Sequence, residues 1–353
     1  MTVAESAETS RAAPSRARSV LAFASAFVAC ALAAGSLAIT LFGDNRGPAV
    51  TLDLSRPPHT QEKTAAPRPA GTELAPSPGA PVTKPIRVGA ALLADPALIE
   101  KTAEGPMPRI ADDGRKPMIA YAVPAAPGKL KIAIVVDGLG LSAHATEAAL
   151  NTLPAAVTLG FLPYAGDVAH WVASARTKGH EVLLEVPMEP FDFPESDPGP
   201  HTLRAGQDED ANRQRLTWAM TRFTGYAGVT NLLGQRFLSD SDALAPTLTF
   251  LARRGLYFYD NGAASQSVAP TVAAQTGIAF ARASGSLDTI GSALEIDRQL
   301  SGLEAQARRT GSAIGSAYLY PVSLARIAAW AKGLPARGFV LVPLSAIVSA
   351  PKQ

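Results

Sequence analysis

LKIAIVVDGLG, residues 130–140, is the stretch on which the fold turns. Leu130 to Val136 form a nearly continuous apolar run rich in β-branched side chains, which suits a strand buried on both faces of a parallel sheet. Asp137 stands where that strand ends, and Gly138 and Gly140 permit a tight backbone turn after it. Similar runs follow downstream: AVTLGFLP (156–163), EVLLEVP (181–187), AGVTNLL (227–233), LYFYD (256–260), IAFARA (278–283), SAIGSAYL (312–319) and FVLVPLS (339–345). Helical stretches separate them near 142–151, 167–178, 208–223, 242–255, 291–310 and 321–333. Seven or eight strands alternating with helices imply a parallel α/β architecture, for which a barrel and a doubly wound sheet both serve.

The chain before this domain is of a different kind. From Ser19 to Gly43 there are 25 consecutive residues without a charge. At 1.5 Å per residue a helix of that length spans about 37 Å, more than a hydrocarbon core of roughly 30 Å. Arg11, Arg16 and Arg18 precede the run, so residues 1–18 are expected in the cytoplasm and everything after Gly43 outside it. A cleaved signal peptide is the rival reading, but its apolar region is normally shorter. The expectation is a single-pass anchor in a bacterial-type inner membrane, with the C-terminal domain (129–350) in the periplasm. Residues 44–128 hold fifteen of the 29 prolines and almost no aromatics, so they read as a Pro-rich disordered linker. If any of that linker docks on the domain, the apolar patches at 88–99 and 117–123 are the candidates.

In either parallel architecture the chemistry gathers at the carboxyl ends of the strands. Asp137, Glu185, Asn231, Asp260, Tyr318 and Tyr320 all fall there. Each has a structural alternative. Asp137 could cap the following turn, and Glu185 could be neutralised by an arginine. Asp260-Asn261-Gly262 reads as a turn, and the tyrosines could be packed aromatics. It is their joint placement that indicates a pocket.

Composition excludes several classes. Net charge is +2, with Lys and Arg scattered through 353 residues, which argues against nucleic acid. A single Cys excludes a disulfide framework or a Cys-based zinc site. The domain has only His144, His170, His180 and His201; none ends a strand, and none forms a common zinc-binding pair. Neither a phosphate-binding Gly-rich loop nor a nucleophile elbow is present.

Seven segments occur in an order that resembles the divergent polysaccharide deacetylase family: KIAIVVDGLGLS (131–142), LGFLPYA (159–165), KGHEVLLEVPMEP (178–190), DPGPHTL (197–203), TNLLGQRF (230–237), LYFYDNG (256–262) and SAIGSAYLYP (312–321). The resemblance implies a distorted (β/α) barrel, here preceded by the transmembrane helix and the linker. It also implies an Asp and two His around a divalent metal that activates water for deacetylation of amino sugars. This chain departs from that pattern. Members with the intact set carry a second Asp where it has Gly138, and His where it has Leu232 or Leu233, Tyr318 or Tyr320, and Glu185. Asp137, Glu185 and Asp260 would suit a hard cation such as Mg²⁺ or Ca²⁺, but the expectation is that no cofactor is held.

Two functions follow. One is a hydrolase of the carbon–nitrogen class, with Asp137, Glu185 and Asp260 as the catalytic carboxylates. The other, which the ligand chemistry favours, is a module that binds an envelope polysaccharide or peptidoglycan strand. The carboxylates and Asn231 would then bond hydroxyls, Tyr164, Tyr318, Tyr320 and Phe191 would offer stacking surface, and Arg236 is a further substrate-binding candidate.

Overall fold

A computed structural model describes residues 86–88 and 91–349. Strands β5 (Lys131–Leu139), β6 (Thr158–Phe161), β7 (Val182–Met188), β8 (Gly228–Leu233), β9 (Tyr257–Asp260) and β10 (Ala279–Arg282) lie side by side in sequence order. On the other side of β5 come β12 (Ser312–Tyr318) and the two-residue β11 (Gly285–Ser286). All of these pairings are parallel. The short β13 (Val340–Leu341) pairs with Lys131 and Ile132, the part of β5 that β6 does not reach. Helices α2 (Ala143–Thr152), α3 (Val168–Thr177), α4 (Glu209–Met220), α5 (Ser241–Arg253), α6 (Ala269–Thr276), α7 (Ala293–Thr310) and α8 (Pro321–Lys332) connect the strands. Ser142, Asp208, Asp240 and Ser292 accept backbone N–H groups at the starts of α2, α4, α5 and α7, which fixes where those helices begin.

The pleat sorts the strand residues between two cores. Ile132, Ile134 and Val136 of β5 join Leu159, Val182, Leu184, Val229 and Phe258 in the core that includes helix residues such as Leu216, Leu248 and Leu300. Ala133 and Val135 share the opposite, concave face with Leu183, Tyr257, Tyr259, Ala279, Ala281 and Ile314. Both faces are buried, which is why the strands read as continuous apolar runs.

Three expectations are corrected. The sheet is a curled half-barrel, not a closed barrel. Its end strands β10 and β11 do not pair with each other, because the chain steps between Arg282 and Gly285 from the edge of β9 to the edge of β12. The other edge of β10 is met instead by Ser349, which exchanges two 3.1 Å backbone hydrogen bonds with Phe280.

The transmembrane helix is not part of the described fold. Among the described residues no helix is long and apolar enough to cross a membrane, and 19–43 lies outside them. The longest, the 18-residue α7, carries acidic and basic side chains along its length.

The linker reading fails for the last part of 44–128; its residues before 86 lie outside the description. An antiparallel pair β1 (Ile86–Val88) and β2 (Ala91–Ala94) is followed by a second, β3 (Ile99–Thr102) and β4 (Gly105–Pro108), and by the single turn α1 (Pro117–Ala120). Leu98, Ala111 and Tyr121 are buried in the concave core, where Val342 and Leu344 of the C-terminal segment join them. An open sheet whose concave face includes small side chains such as Ala133, Ala279 and Ala281 leaves volume to fill, and these two segments fill it.

Candidate functional site

Asp137 sits at an irregularity in the sheet. Val136 is in register with Leu159, yet the next pairing is Leu139 with Phe161, so Asp137 and Gly138 together oppose Gly160. This β-bulge, with Gly138 at φ +93°, re-aims the end of the strand. Asp137 shares its face of β5 with Val135, and Glu185 shares its face of β7 with Leu183, so both carboxyls lie on the concave side over Gly160 of the intervening strand. A methyl group at residue 160 would stand 2.3 Å from Asp137 Oδ1 and 3.1 Å from Glu185 Oε1. The missing side chain is therefore what lets the two carboxyls converge. Gly160→Ala is expected to force them apart at a cost of about 1–3 kcal/mol, seen as a lower urea midpoint with unchanged slope.

Both carboxyls are sealed from solvent, Asp137 fully and Glu185 at 1% exposure. Glu185 Oε1 accepts the Gly138 N–H at 2.5 Å, whereas neither oxygen of Asp137 has a hydrogen-bond donor within bonding distance. Burial pushes Asp137 up to about 7, and the charge of Asp288 adds to the rise; Asn261 and Ser316 stand close enough to offset part of it. Glu185 is raised well above the usual carboxylate range by burial first and by Asp137 second. Two carboxyls in one dry site cannot both ionise, so near neutral pH the pair retains a proton. Tyr318, one of the concave residues of β12, is pushed up to about 12 by burial and then by both carboxylates. Tyr318 is the register partner of Asp137 on the neighbouring strand. Asp288 holds it from behind, accepting the Tyr318 N–H at 2.8 Å and the Ser323 hydroxyl at 2.6 Å.

The remaining sequence candidates lie elsewhere. Asp260 follows Tyr259 on β9 and so projects to the helix-covered side with Phe258; it accepts the Gly262 N–H at 2.9 Å and faces Arg282 Nε at 3.3 Å. It is not part of the carboxyl pair. Asn231 is committed to Asn261: each side chain bonds the other's side chain or backbone, at 2.9–3.1 Å, which ties the ends of β8 and β9 together. Tyr164 braces the 197–203 loop, its hydroxyl accepting the His201 N–H at 3.3 Å and its ring packed on Trp218. Tyr320 is half-exposed, with its ring centroid 6.1 Å from that of Tyr318. Arg236 and Phe191 are exposed at the β7–β8 side of the strand ends, where Arg236 faces the buried Glu189 at 3.4 Å.

Gly160, Asn261, Asp288, Ser316 and Glu189 were not singled out from sequence as site residues. Glu189 was visible in the VPMEP segment, and Asn261 in a segment read as a turn. Nothing in the loop around Asp288 marks it.

The donor set does not fit the metal that the family resemblance implies. Among the described residues no group of three or more His, Cys, Asp or Glu side chains is placed to hold an ion. Asp137 and Glu185 supply two carboxyls, Asp260 is on the other face, and no histidine among the described residues joins the pair. His180 Nδ1 bonds the Val157 carbonyl at 2.9 Å, and His201 stacks on Trp218.

Known proteins agree on the kinship of this domain. A solved structure of the uncharacterized protein ATU2773 from Agrobacterium tumefaciens C58 is 40% identical and superposes with a TM-score of 0.68, over 69% of this chain and all of that one. The uncharacterized protein YibQ of Escherichia coli (strain K12) is 26% identical over 235 residues, 67% of this chain and 72% of its own. An uncharacterized protein of Haemophilus influenzae is also 26% identical, over 206 residues, 58% of this chain and 72% of its own. The family model described as divergent polysaccharide deacetylase matches residues 134–348, the span from β5 to the C-terminal segment that meets β10. By that match the chain belongs to the divergent polysaccharide deacetylase family.

Proposed function

We propose that this domain binds a polysaccharide and does not cleave it. The observation that carries the reading is the closure of the carboxyl pair: Asp137 and Glu185 are sealed from solvent and, among the described residues, no third metal-ligating side chain joins them, while Tyr320, Phe191 and Arg236 remain exposed around the strand ends. An enzyme must bring its reacting groups within reach of substrate, whereas a binding surface needs only exposed aromatic and polar groups on a rigid frame. Family membership supports a polysaccharide as the ligand class. The polymer we assign is one of the bacterial envelope, on the periplasmic side. The charge-free run 19–43 and the arginines before it support that location from sequence.

The full chain is expected to sediment with insoluble peptidoglycan or chitin and to release no acetate from either, with or without added divalent metal. Failure to co-sediment would overturn the binding reading. Acetate release that disappears in Asp137→Asn would instead favour hydrolysis, with the Asp137 carboxyl, raised to about 7, as general base.

A further inference from the structure

Glu189 organises a second place at the strand ends. Its backbone N–H donates to the Leu203 carbonyl at 2.9 Å, and its own carbonyl accepts the N–H groups of Arg236 and Phe237, each at 3.1 Å. Its carboxylate is buried; Oε2 accepts the Ala205 N–H at 2.7 Å and Oε1 faces Arg236 Nη1 at 3.4 Å. One residue thereby locks the end of β7, the 203–206 loop and the 236–237 turn to each other. Between them runs a shallow groove of about 540 Å³ lined by Phe191, Gly206, Arg236, Ser239, Asp240 and Ser241.

The lining is chemically specific. Phe191 is 59% exposed and presents an apolar ring to solvent. Arg236 is exposed too, and its Nε and Nη2 have no partner among the described residues, so they remain donors. Asp240 spends Oδ1 on the N–H groups of Asp242 and Ala243 at the start of α5, which leaves Oδ2 as an acceptor. An apolar ring beside a donor and an acceptor matches a pyranose, which has a C–H face and equatorial hydroxyls. Charge narrows the class. One guanidinium stands beside two carboxylates, Glu189 and Asp240, and already faces the first. A uronate or another acidic sugar would meet net repulsion here, and a neutral sugar would not.

We propose that this groove is the subsite for a neutral pyranose unit of the bound polysaccharide. Its ring stacks on Phe191, its hydroxyls bond Arg236 and Asp240, and Glu189 is the positioning residue that holds the walls and disfavours acidic sugars. The inference rests on the polysaccharide-binding reading above.

Titration calorimetry on the full chain with chitotetraose, cellotetraose and tetragalacturonate tests it, with thermal unfolding of each variant as the check on folding. One of the two neutral oligomers is expected to bind more tightly than the acidic one. Phe191→Ala and Arg236→Gln should each weaken that binding by about fivefold or more, and Phe191→Tyr should restore it. Glu189→Gln keeps an oxygen for the Ala205 N–H but removes the charge, so the preference for neutral over acidic oligomers should shrink by about threefold, which a purely structural role would not produce. Unchanged affinity in folded Phe191→Ala and Arg236→Gln would overturn the groove while leaving polysaccharide binding in place. Tighter binding of tetragalacturonate would overturn the neutral-sugar assignment. No binding of any oligomer, together with no co-sedimentation, would overturn the function and the groove with it.

Discussion

Replacing Glu181 by alanine is expected to destabilise the domain by about 3–5 kcal/mol, the scale of leaving several buried hydrogen-bond donors unsatisfied at about 1–3 kcal/mol each. Glu181 lies at the start of β7, at the end of the sheet remote from the carboxyl pair, and is fully buried. Its Oε1 accepts the Tyr257 hydroxyl and the Ser345 N–H, both at 2.9 Å, and its Oε2 accepts the Val123 N–H at 3.3 Å. The Arg176 guanidinium, also fully buried, interacts electrostatically with it, bonds the His180 carbonyl at 3.1 Å and lies 5.8 Å from the Tyr121 ring centroid. One carboxylate therefore joins the sheet to the segment before it and to the segment after it. Alanine would leave three buried donors, the Tyr257 hydroxyl and the Ser345 and Val123 N–H groups, without an acceptor in a dry site. Urea unfolding measures the loss, and Glu181→Gln, which keeps the shape and one acceptor oxygen, should lose less. A loss below about 1 kcal/mol for alanine would mean that apolar packing alone holds the flanking segments.

The opposite sign is expected at the functional end. Asp137→Asn should stabilise the domain, and the gain should grow with pH. The Asp137 carboxyl titrates near 3.8 when solvated and at about 7 when folded, because burial opposes its charge. Its folded-state pKa is raised, so the folded protein holds the proton more tightly than the unfolded chain. The resulting stability is complete below about pH 4 and is lost as pH rises through 7. At 1.36 kcal/mol per unit the difference reaches on the order of 4 kcal/mol by pH 8.5. Asparagine cannot ionise, and its amide can donate to Glu185, so the variant should match the wild type within about 1 kcal/mol near pH 4 and exceed it at pH 8.5. Thermal unfolding at pH 4, 6 and 8.5 reads the effect. A gain that does not change with pH would refute the buried, unpartnered carboxylate as its source. A fold that keeps such a carboxylate at the strand ends sacrifices stability at the place where family chemistry resides.

Much of this architecture is legible in the chain itself. Runs such as KIAIVV and EVLLEV need cover on both faces, and only a parallel sheet flanked by helices supplies it. The strand-end positions of Asp137, Glu185 and Tyr318 follow from the same runs. The pairing of Asp137 with Glu185 does not, because it depends on a bulge that shifts the pleat by one residue and on a glycine in the neighbouring strand. Asp260 shows the converse. It ends a strand as Asp137 does, but it lies on the other side of the pleat and meets Arg282.

The folded part of the proline-rich stretch was concealed by composition. Pro106 and Pro108 look like tether residues, yet among the described residues β4 pairs with β3 alone, and such a short two-stranded element accommodates proline at its free edge. Leu98 and Tyr121 lie in the apolar patches 88–99 and 117–123, which the sequence marks only as candidates for docking. Their partners, Val135, Tyr257 and Leu344, are far away along the chain. From sequence alone came the parallel α/β class, the family and the residues at the strand ends, since these depend on local hydrophobic pattern and motif order. Tertiary structure decided that the sheet stays open, that flanking segments fill its concave face, and which two carboxyls share a dry site, because each of these depends on which surfaces are left uncovered once distant strands have met.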